Sequence, residues 1–456
     1  MEAYDVVAES GIGTAGNGKT EKIRELFPKP GEEFDIIVVG GGPAGIGASI
    51  AACLRGAKTL LLEASSTCGG VAAAAMWMPV NRITLWGVTA EGGRRGGVHD
   101  IFVDTIRSFG AEAYSERRHP STDMRGGLSI HPEFLKMAMF KMLEQYHCMY
   151  RLYSPVTGVI KIKNEIRGVK VTTKNGEERF YAKVVIDCSG DGDVAGYAGV
   201  PMKKGREEDG RMLPPALLWV IGNVEIERFY RFITADKEKF NSIIEEAKME
   251  GFVTCKWYDF DETSIPGAIN VNNGGVDDWG NIDMTDESDM TLAERLGIQA
   301  ALDFCTFAKR KRIPGLEDCH LIRAGYKVAV RDTRRIVGEY TISHEDAVKA
   351  PEFEDCVSRR YGFIDAVGYY ADRMKSGHAY PYRCLVPKSV ENLLVAGRCA
   401  SATHLGFASG RGMGENMGMG QAAGIAAAES IRQQKRVREI DVEPVQKILR
   451  SMGVNI

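Results

Sequence analysis

The sequence predicts an α/β fold. A parallel sheet with crossover helices is assembled from three separated segments, and a second, α+β domain is inserted among them. Three observations predict it. An apolar run at residues 36–39 enters a glycine-rich turn, an Ala-rich helix and a second apolar run at 59–62. Two later apolar runs, 184–186 and 393–396, also end in glycine turns. Between those two, from Pro214 to about Tyr382, the composition changes to amphipathic stretches and polar loops.

The first stretch, FDIIVVGGGPAGIGASIAACLRGAKTLLLE over residues 34–63, carries the chemistry. Gly40, Gly42 and Gly45 fit G-x-G-x-x-G, with Pro43 and Ala44 leading into the helix and Gly56 stopping it. Gly40 lets the chain turn out of the strand. Gly42 lets a pyrophosphate approach the backbone, and Gly45 lets the helix pack on the strand. The helix N-terminus offers free N–H groups and partial positive charge to phosphates. Glu63, ending the second run, is placed to accept hydrogen bonds from a ribose diol and would repel a 2′-phosphate. Glycines alone are a weak signal; strand, turn, helix, strand and terminal acid in this order make a Rossmann-like dinucleotide site. This stretch leaves FAD and NAD both open.

Composition narrows the class. The 456 residues are 44% hydrophobic and 26% charged, which is ordinary for a globular chain with ample core. A net charge of -3 and the lack of a long basic run argue against a nucleic-acid partner. The ten cysteines contain no CxxC pair, so reduced intracellular thiols fit better than disulfides, zinc or iron–sulfur sites. No apolar run reaches the length of a membrane span and no signal peptide is seen, so the expectation is a cytoplasmic protein without membrane contact. Residues 1–33 read as an N-terminal surface extension able to wrap a neighbouring subunit, which leaves a homo-oligomer open.

Small residues follow Glu63. Ala64, Cys68, Gly70 and Val71 read as a loop returning along the cofactor. Cys68 has no partner cysteine before Cys148, so a small packed residue is a plainer reading than a redox thiol. Arg94, Arg95 and His99 either face a ligand or sit on an exposed loop, with the loop preferred. Helices are expected at 98–109 and 132–146, and strands over 149–186 with a hairpin at Asn175-Gly176. The strand ending near 186 runs into Cys188-Ser189-Gly190-Asp191-Gly192-Asp193. No spaced acid follows, so Gly190 and Asp191 read as a second contact to the first cofactor.

In residues 214–382, amphipathic stretches at 226–249 and 292–311 flank a polar segment. It holds Asn270, Asn272, Asn273, Asp277, Asp278, Asp283 and Asp286. It lacks EF-hand spacing and reads as a solvated loop. Next, Arg323, Arg331, Arg334 and Arg335 stand in an apolar, strand-like setting. Such arginines must pair with carboxylates or a ligand. Two readings stand: a network with Asp332 and Glu339, or Arg331, Arg334 and Arg335 as anchors for a carboxylate or sugar-like substrate. Finally, the strand at 393–396 enters Gly397 and Arg398. An Ala/Gly-rich helix follows from about Asn416, so that Met417 and Gly418 lie in its first turn. Aimed at a flavin, that helix N-terminus would stabilise negative charge on the reduced ring.

These three segments together resemble the discontinuous FAD domain of glutathione-reductase-like flavoproteins. More closely, the chain resembles the FAD-dependent oxidoreductase family, which includes many bacterial proteins labelled xanthan lyases. The resemblance rests on VVGGGPAGIGASIAA, VVIDCSGDGD, DMTDESDMTLAERLGIQA, RDTRRIVGEYTIS and YPYRCLVPKSVENLLVAGRCASATH, spanning about residues 35–428. The chain departs from the family pattern at Cys188-Ser189, at Ala329-Val330-Arg331 and at Leu405-Gly406-Phe407, the last on the expected substrate side. The resemblance implies a glutathione-reductase-type FAD-binding domain over 34–213 and 383–456, with a substrate domain at 214–382. It implies pyrophosphate on Gly40 to Gly45, adenosine ribose on Glu63, Arg398 near the ribityl chain or pyrophosphate, and the isoalloxazine near His404 and the last helix. A covalent flavin would use Cys68 or His99.

Three activities follow as expectations. The first oxidises a C–H bond next to a hydroxyl or amine in a small polar substrate, with hydride passing to flavin N5. His404 is then the candidate base, with His378 and Tyr380 next. The second is a reductase or hydroxylase fed by NAD(P)H. The third is an electron-transfer flavoprotein subunit working with a partner chain.

Overall fold

Strand β1 (Glu33–Val39) is the axis of the main sheet. Its apolar run is buried on both faces, as a central parallel strand must be. Ile36 and Val38 enter one core while Ile37 and Val39 enter the other. The structure, a computed structural model, describes residues 17–29, 31–76, 79–86, 92–115, 127–277, 279–361, 364–366, 369–371 and 377–456. Residues 1–16 of the expected N-terminal extension lie outside them.

Helix α1 (Pro43–Leu54) starts with proline at its first position, where the missing N–H costs nothing. It leads to β2 (Thr59–Leu62), which pairs parallel with β1. Helix α2 (Pro132–Gln145) precedes β3 (Met149–Arg151), which pairs parallel with β2. The meander follows: β4 (Val156–Ile162), β5 (Glu165–Thr173) and β6 (Gly176–Asp187). Gly176 takes a positive φ of 105° in the expected hairpin between β5 and β6. The twelve residues of β6 do two jobs. The N-terminal part pairs antiparallel with β5, and the C-terminal end pairs parallel with β1.

The inserted domain is a four-stranded antiparallel sheet. It contains β7 (Trp219–Gly222), β8 (Tyr258–Glu262), β9 (Ile269–Asn273) and, after helix α3 (Glu287–Arg310), β10 (His320–Ala324). The order is β8-β9-β7-β10. Trp219, Phe229, Phe260, Phe304 and Phe307 form its own core. Phe229 meets Phe260 edge-on at 4.7 Å. The stretch expected as one amphipathic unit over 226–249 divides into helices Ile226–Ala235 and Lys237–Met249. Asp236 breaks it, and its carboxylate accepts from the Lys239 N–H to cap the second helix.

One expectation needs correction. Asn270, Asn272 and Asn273 do not lie in a solvated loop; they are buried in β9, between two paired strands. Asparagine is depleted in strands, so composition pointed the other way. Within residues 214–382, the core of the inserted sheet draws on residues up to Val330, whereas Val357, Tyr380 and Tyr382 belong to the main core.

The chain then returns to the main sheet. Strand β11 (Leu393–Val395) pairs parallel with the end of β6, completing the parallel order β3-β2-β1-β6-β11. Helix α4 (Met413–Gln433) packs along α1. A side chain at Gly420 would clash with the Ala44 carbonyl, and one at Gly424 with the Ala48 carbonyl. Small residues thus bring two helices to backbone contact, a use of glycine beyond the turns.

Truncating Phe304 in the inserted core should cost about 3–5 kcal/mol. Urea denaturation of Phe304→Ala checks it, and an unchanged midpoint would mean that the aromatic cluster does not support the domain.

Candidate functional site

The head of α1 is shaped by two carbonyls. Gly40 turns at φ 100°, and a Cβ there would strike the Cys188 carbonyl. A Cβ at Gly45 would strike the Gly40 carbonyl. Gly42 differs: its φ of -70° suits any residue, and the nearest atom to an added Cβ is the Gly70 Cα at 3.8 Å. The space beside Gly42 is therefore open on the side where a pyrophosphate would lie. Helix geometry leaves the first-turn N–H groups, including those of Ala44 and Gly45, without intrahelical acceptors. The cradle fits a dinucleotide's diphosphate.

Glu63 closes the turn. Its Oε2 accepts from the Gly41 N–H at 2.6 Å, and its Oε1 accepts from the Ser65 N–H and hydroxyl at 2.7 Å each. The returning loop lies where expected: the Gly69 N–H donates to the Gly41 carbonyl at 2.8 Å, and Gly70 sits against Gly42. Ala64 is exposed at the start of this loop, and Val71 begins a short helix, Val71–Ala74. Cys68 is fully buried, and burial, with Glu63 beside it, drives its thiol far up. That environment disfavours a thiolate nucleophile.

The other segments converge here. Gly397 turns at φ 103° beside Ala44. Arg398 donates to the Gly190 carbonyl at 2.9 Å, to Asp191 Oδ1 at 2.6 Å, and to the Val330 carbonyl. Thr333 also donates to Asp191, at 2.7 Å. Burial alone would raise the Asp191 carboxyl, but Arg398 and Thr333 hold it below the usual range. Arg398 is thus tied to the mid-chain glycine loop. Met417 and Gly418 lie elsewhere than expected. Helix α4 starts three residues earlier than the sequence suggested, so they fall in its second turn. There the Met417 carbonyl faces Gly47 of α1, while Gly418 faces Ser358 and His99.

The arginine stretch is engaged within the chain. Arg335, 1% exposed, donates to Asp332 Oδ1 at 2.6 Å and to the Gly205 carbonyl at 2.7 Å. Arg334 pairs with Asp193 and donates to the Asp191 carbonyl. Arg331 donates to the carbonyls of Pro214 and Asn273. Of the expected network, Asp332 takes part, whereas Glu339 pairs with Arg438. All three guanidiniums thus have partners within the chain.

His404 is 2% exposed, and its Nδ1 lies 3.1 Å from Asp332 Oδ2. That is ion-pair distance, though not aligned as a hydrogen bond. Glu207 accepts from the His404 backbone N–H at 3.0 Å. The sequence named Asp332 only as an arginine partner; nothing at a separation of seventy-two residues links it to His404. The two lesser candidates are buried differently. The Tyr380 ring lies under Arg360 at 4.2 Å and its hydroxyl donates to the Ser401 carbonyl, so burial drives its ionisation far up. His378 shares a hydrogen bond with Ser409 at 3.0 Å, and burial, with Arg360 next, lowers it to about 3. Neither is poised to take a proton. Arg94 pairs with Asp100 and Asp104 at the surface, as a loop residue would. Arg95 and His99 do not: both are buried, and His99 Nε2 lies 2.7 Å from the Gly414 carbonyl.

The family model described as FAD dependent oxidoreductase matches residues 35–449. The chain belongs to the FAD dependent oxidoreductase family. FAD is its cofactor, and the cradle at Gly42, the acid at Glu63 and the loop at Gly70 are the residues that would hold it. A curated ferredoxin–NADP reductase of Picrophilus torridus is 26% identical over 194 residues. The match spans 42% of this chain and 44% of that protein, so less than half of the relative's length is covered. A solved geranylgeranyl bacteriochlorophyll reductase-like protein from Thermoplasma acidophilum aligns over 92% of this chain and 84% of its own, at 16% identity and a TM-score of 0.48. A flavin-dependent brominase aligns over 92% and 83%, at 13% identity and a TM-score of 0.48. Among the described residues no helix is long and apolar enough to cross a membrane.

Two outcomes are expected. Gly42→Val should fold with a loss of about 1 kcal/mol at this helix N-cap, because the nearest atom to its Cβ is the Gly70 Cα at 3.8 Å. It should lose bound FAD, read from the visible spectrum; full flavin retention would place the pyrophosphate elsewhere. Second, His99 and His378 are both lowered to about 3, chiefly by burial. Each is neutral when folded and titrates near 6.5 when unfolded, so stability is full above about 6.5 and falls as pH drops toward 3. Between about pH 7 and pH 5, His378→Gln should lose about 2 kcal/mol less than the parent in urea titrations.

Proposed function

We propose that this flavoenzyme oxidises a C–H bond next to a hydroxyl or amine of a small polar substrate, with His404 taking the hydroxyl or amine proton. The grouping of His404, Asp332 and Arg335 supports this most. Asp332 Oδ2, 3.1 Å from Nδ1, is placed to orient the imidazole and leave Nε2 as the nitrogen that accepts a proton. Arg335 holds that carboxylate in place from its other oxygen. Burial keeps the group away from water, where its electrostatic effect is larger. Bound FAD supplies an acceptor for the hydride.

A second reading has one observation behind it. The likeness to a ferredoxin–NADP reductase suggests NAD(P)H as electron donor. NADPH added without air should then bleach the flavin.

For the first reading, His404→Gln should retain FAD and slow anaerobic bleaching by a hydroxy or amino substrate roughly 10²–10⁴-fold. Asp332→Asn should retain FAD and shift the pH profile of that step. A His404→Gln enzyme working at half the parent rate would sink the assignment of the base.

A further inference from the structure

The inserted sheet has two unlike faces. On one, Trp219, Ile221, Phe260, Ile269 and Val271 enter the aromatic core. On the other, register places four residues in a single row across the sheet: Asp261, Asn270, Val220 and Arg323. This second face looks toward the FAD domain. Arg323 donates to Glu133 of α2 at 2.7 Å, and Val220 packs on Met76, which directly follows the Gly70 loop and its short helix.

The other half of the row is polar, buried and short of partners. Asp261 is 3% exposed and Asn270 is 0% exposed. The Asn270 amide nitrogen and oxygen and Asp261 Oδ2 have no aligned hydrogen-bond partner, although the two side chains lie within reach of each other across the strands. Buried polar groups are nearly always paired, so each exception calls for an explanation.

We propose that Asp261 and Asn270 are the substrate-recognition pair, and that they take a neutral polyhydroxyl compound, of the sugar or polyol class, through adjacent hydroxyl groups. This deepens, and rests on, the reading of the chain as an FAD oxidoreductase acting on a small polar substrate. The chemistry of the pair selects the class. The Asn270 amide offers two donors and an acceptor, and the Asp261 carboxyl beside it adds acceptors, at neighbouring positions that match vicinal hydroxyls. Burial, with Asp259 adding to it, raises the Asp261 carboxyl well above the usual range. Met76, Val220 and Ala268 supply an apolar floor beside it. A carboxylate ligand fits less well. The one cation of the row, Arg323, is paired with Glu133. Arg331, Arg334 and Arg335, the arginines that could have held an acid, donate to the chain's own carbonyls and carboxylates.

The test compares the FAD-loaded parent with Asp261→Leu/Asn270→Leu and with Asn270→Ala. The probes are D-glucose, myo-inositol and D-gluconate. Groups that lack partners cost little to replace with apolar ones, so the double variant should keep its flavin and melt at or above the parent Tm. Glucose or inositol should raise the parent Tm more than gluconate does. Asn270→Ala should weaken binding of the stabilising probe about tenfold or more, read by calorimetry. A double variant that melts below the parent, or does not fold, would make the pair structural or water-bonded and overturn the proposal. Stabilisation by gluconate alone, or by no neutral probe, would overturn the substrate class. A parent that holds no FAD is a separate failure, that of the flavoenzyme reading.

Discussion

Direct backbone contact around Ala44 is the constraint on which the structure depends. On one side, Gly45 brings the head of α1 against the Gly40 carbonyl. On another, Gly420 brings α4 against the Ala44 carbonyl, and on a third Gly397 brings the end of β11 beside the Ala44 side chain. Nothing larger than the Ala44 methyl stands between these elements, so their separation is close to that set by backbone van der Waals radii. That rigidity places the open space beside Gly42 at a defined distance from the mid-chain and C-terminal loops. A cradle for a diphosphate needs such precision, because its N–H groups act over a hydrogen-bond length.

Charge ties the three segments together where glycine leaves room. Asp191 receives Thr333 and Arg398, which come from 142 and 207 residues further along the chain. Asp332 receives Arg335 on one oxygen and faces His404 with the other. Both carboxylates lie where the inserted domain hands the chain back to the sheet. Buried charges of this kind are costly unless fully paired, and losing one partner leaves an uncompensated ion. The return from the inserted domain is therefore held by ion pairs on either side of the cofactor-binding loops.

The readable parts of the sequence were local. Residues 34–63 announced strand, turn, helix, strand and acid because each depends on neighbours a few positions away. The hairpin at Asn175-Gly176 is of the same kind. The misread parts were decided by distant partners. Asn270 and Asn272 looked like loop residues because asparagine is rare in strands, yet Asn270 is paired on both sides and Asn272 with Asp259 in β9. Arg331, Arg334 and Arg335 looked equally like ligand anchors and ion-pair members, since a charge does not reveal its partner. Met417 and Gly418 were placed one turn too early because an Ala/Gly-rich helix has weak start signals.

By itself, then, the sequence determined the dinucleotide turn, the three-segment parallel sheet and the existence of an inserted domain, because these follow from periodicity, glycine stereochemistry and apolar runs. Only the tertiary structure decided which side chains meet: Asp332 with His404, Asp191 with Arg398, and Asp261 with Asn270 on the face turned toward the FAD domain. Those meetings are set by sheet register and by the return path of the chain. Register and return path depend on contacts between residues tens to hundreds of positions apart, which no local pattern encodes.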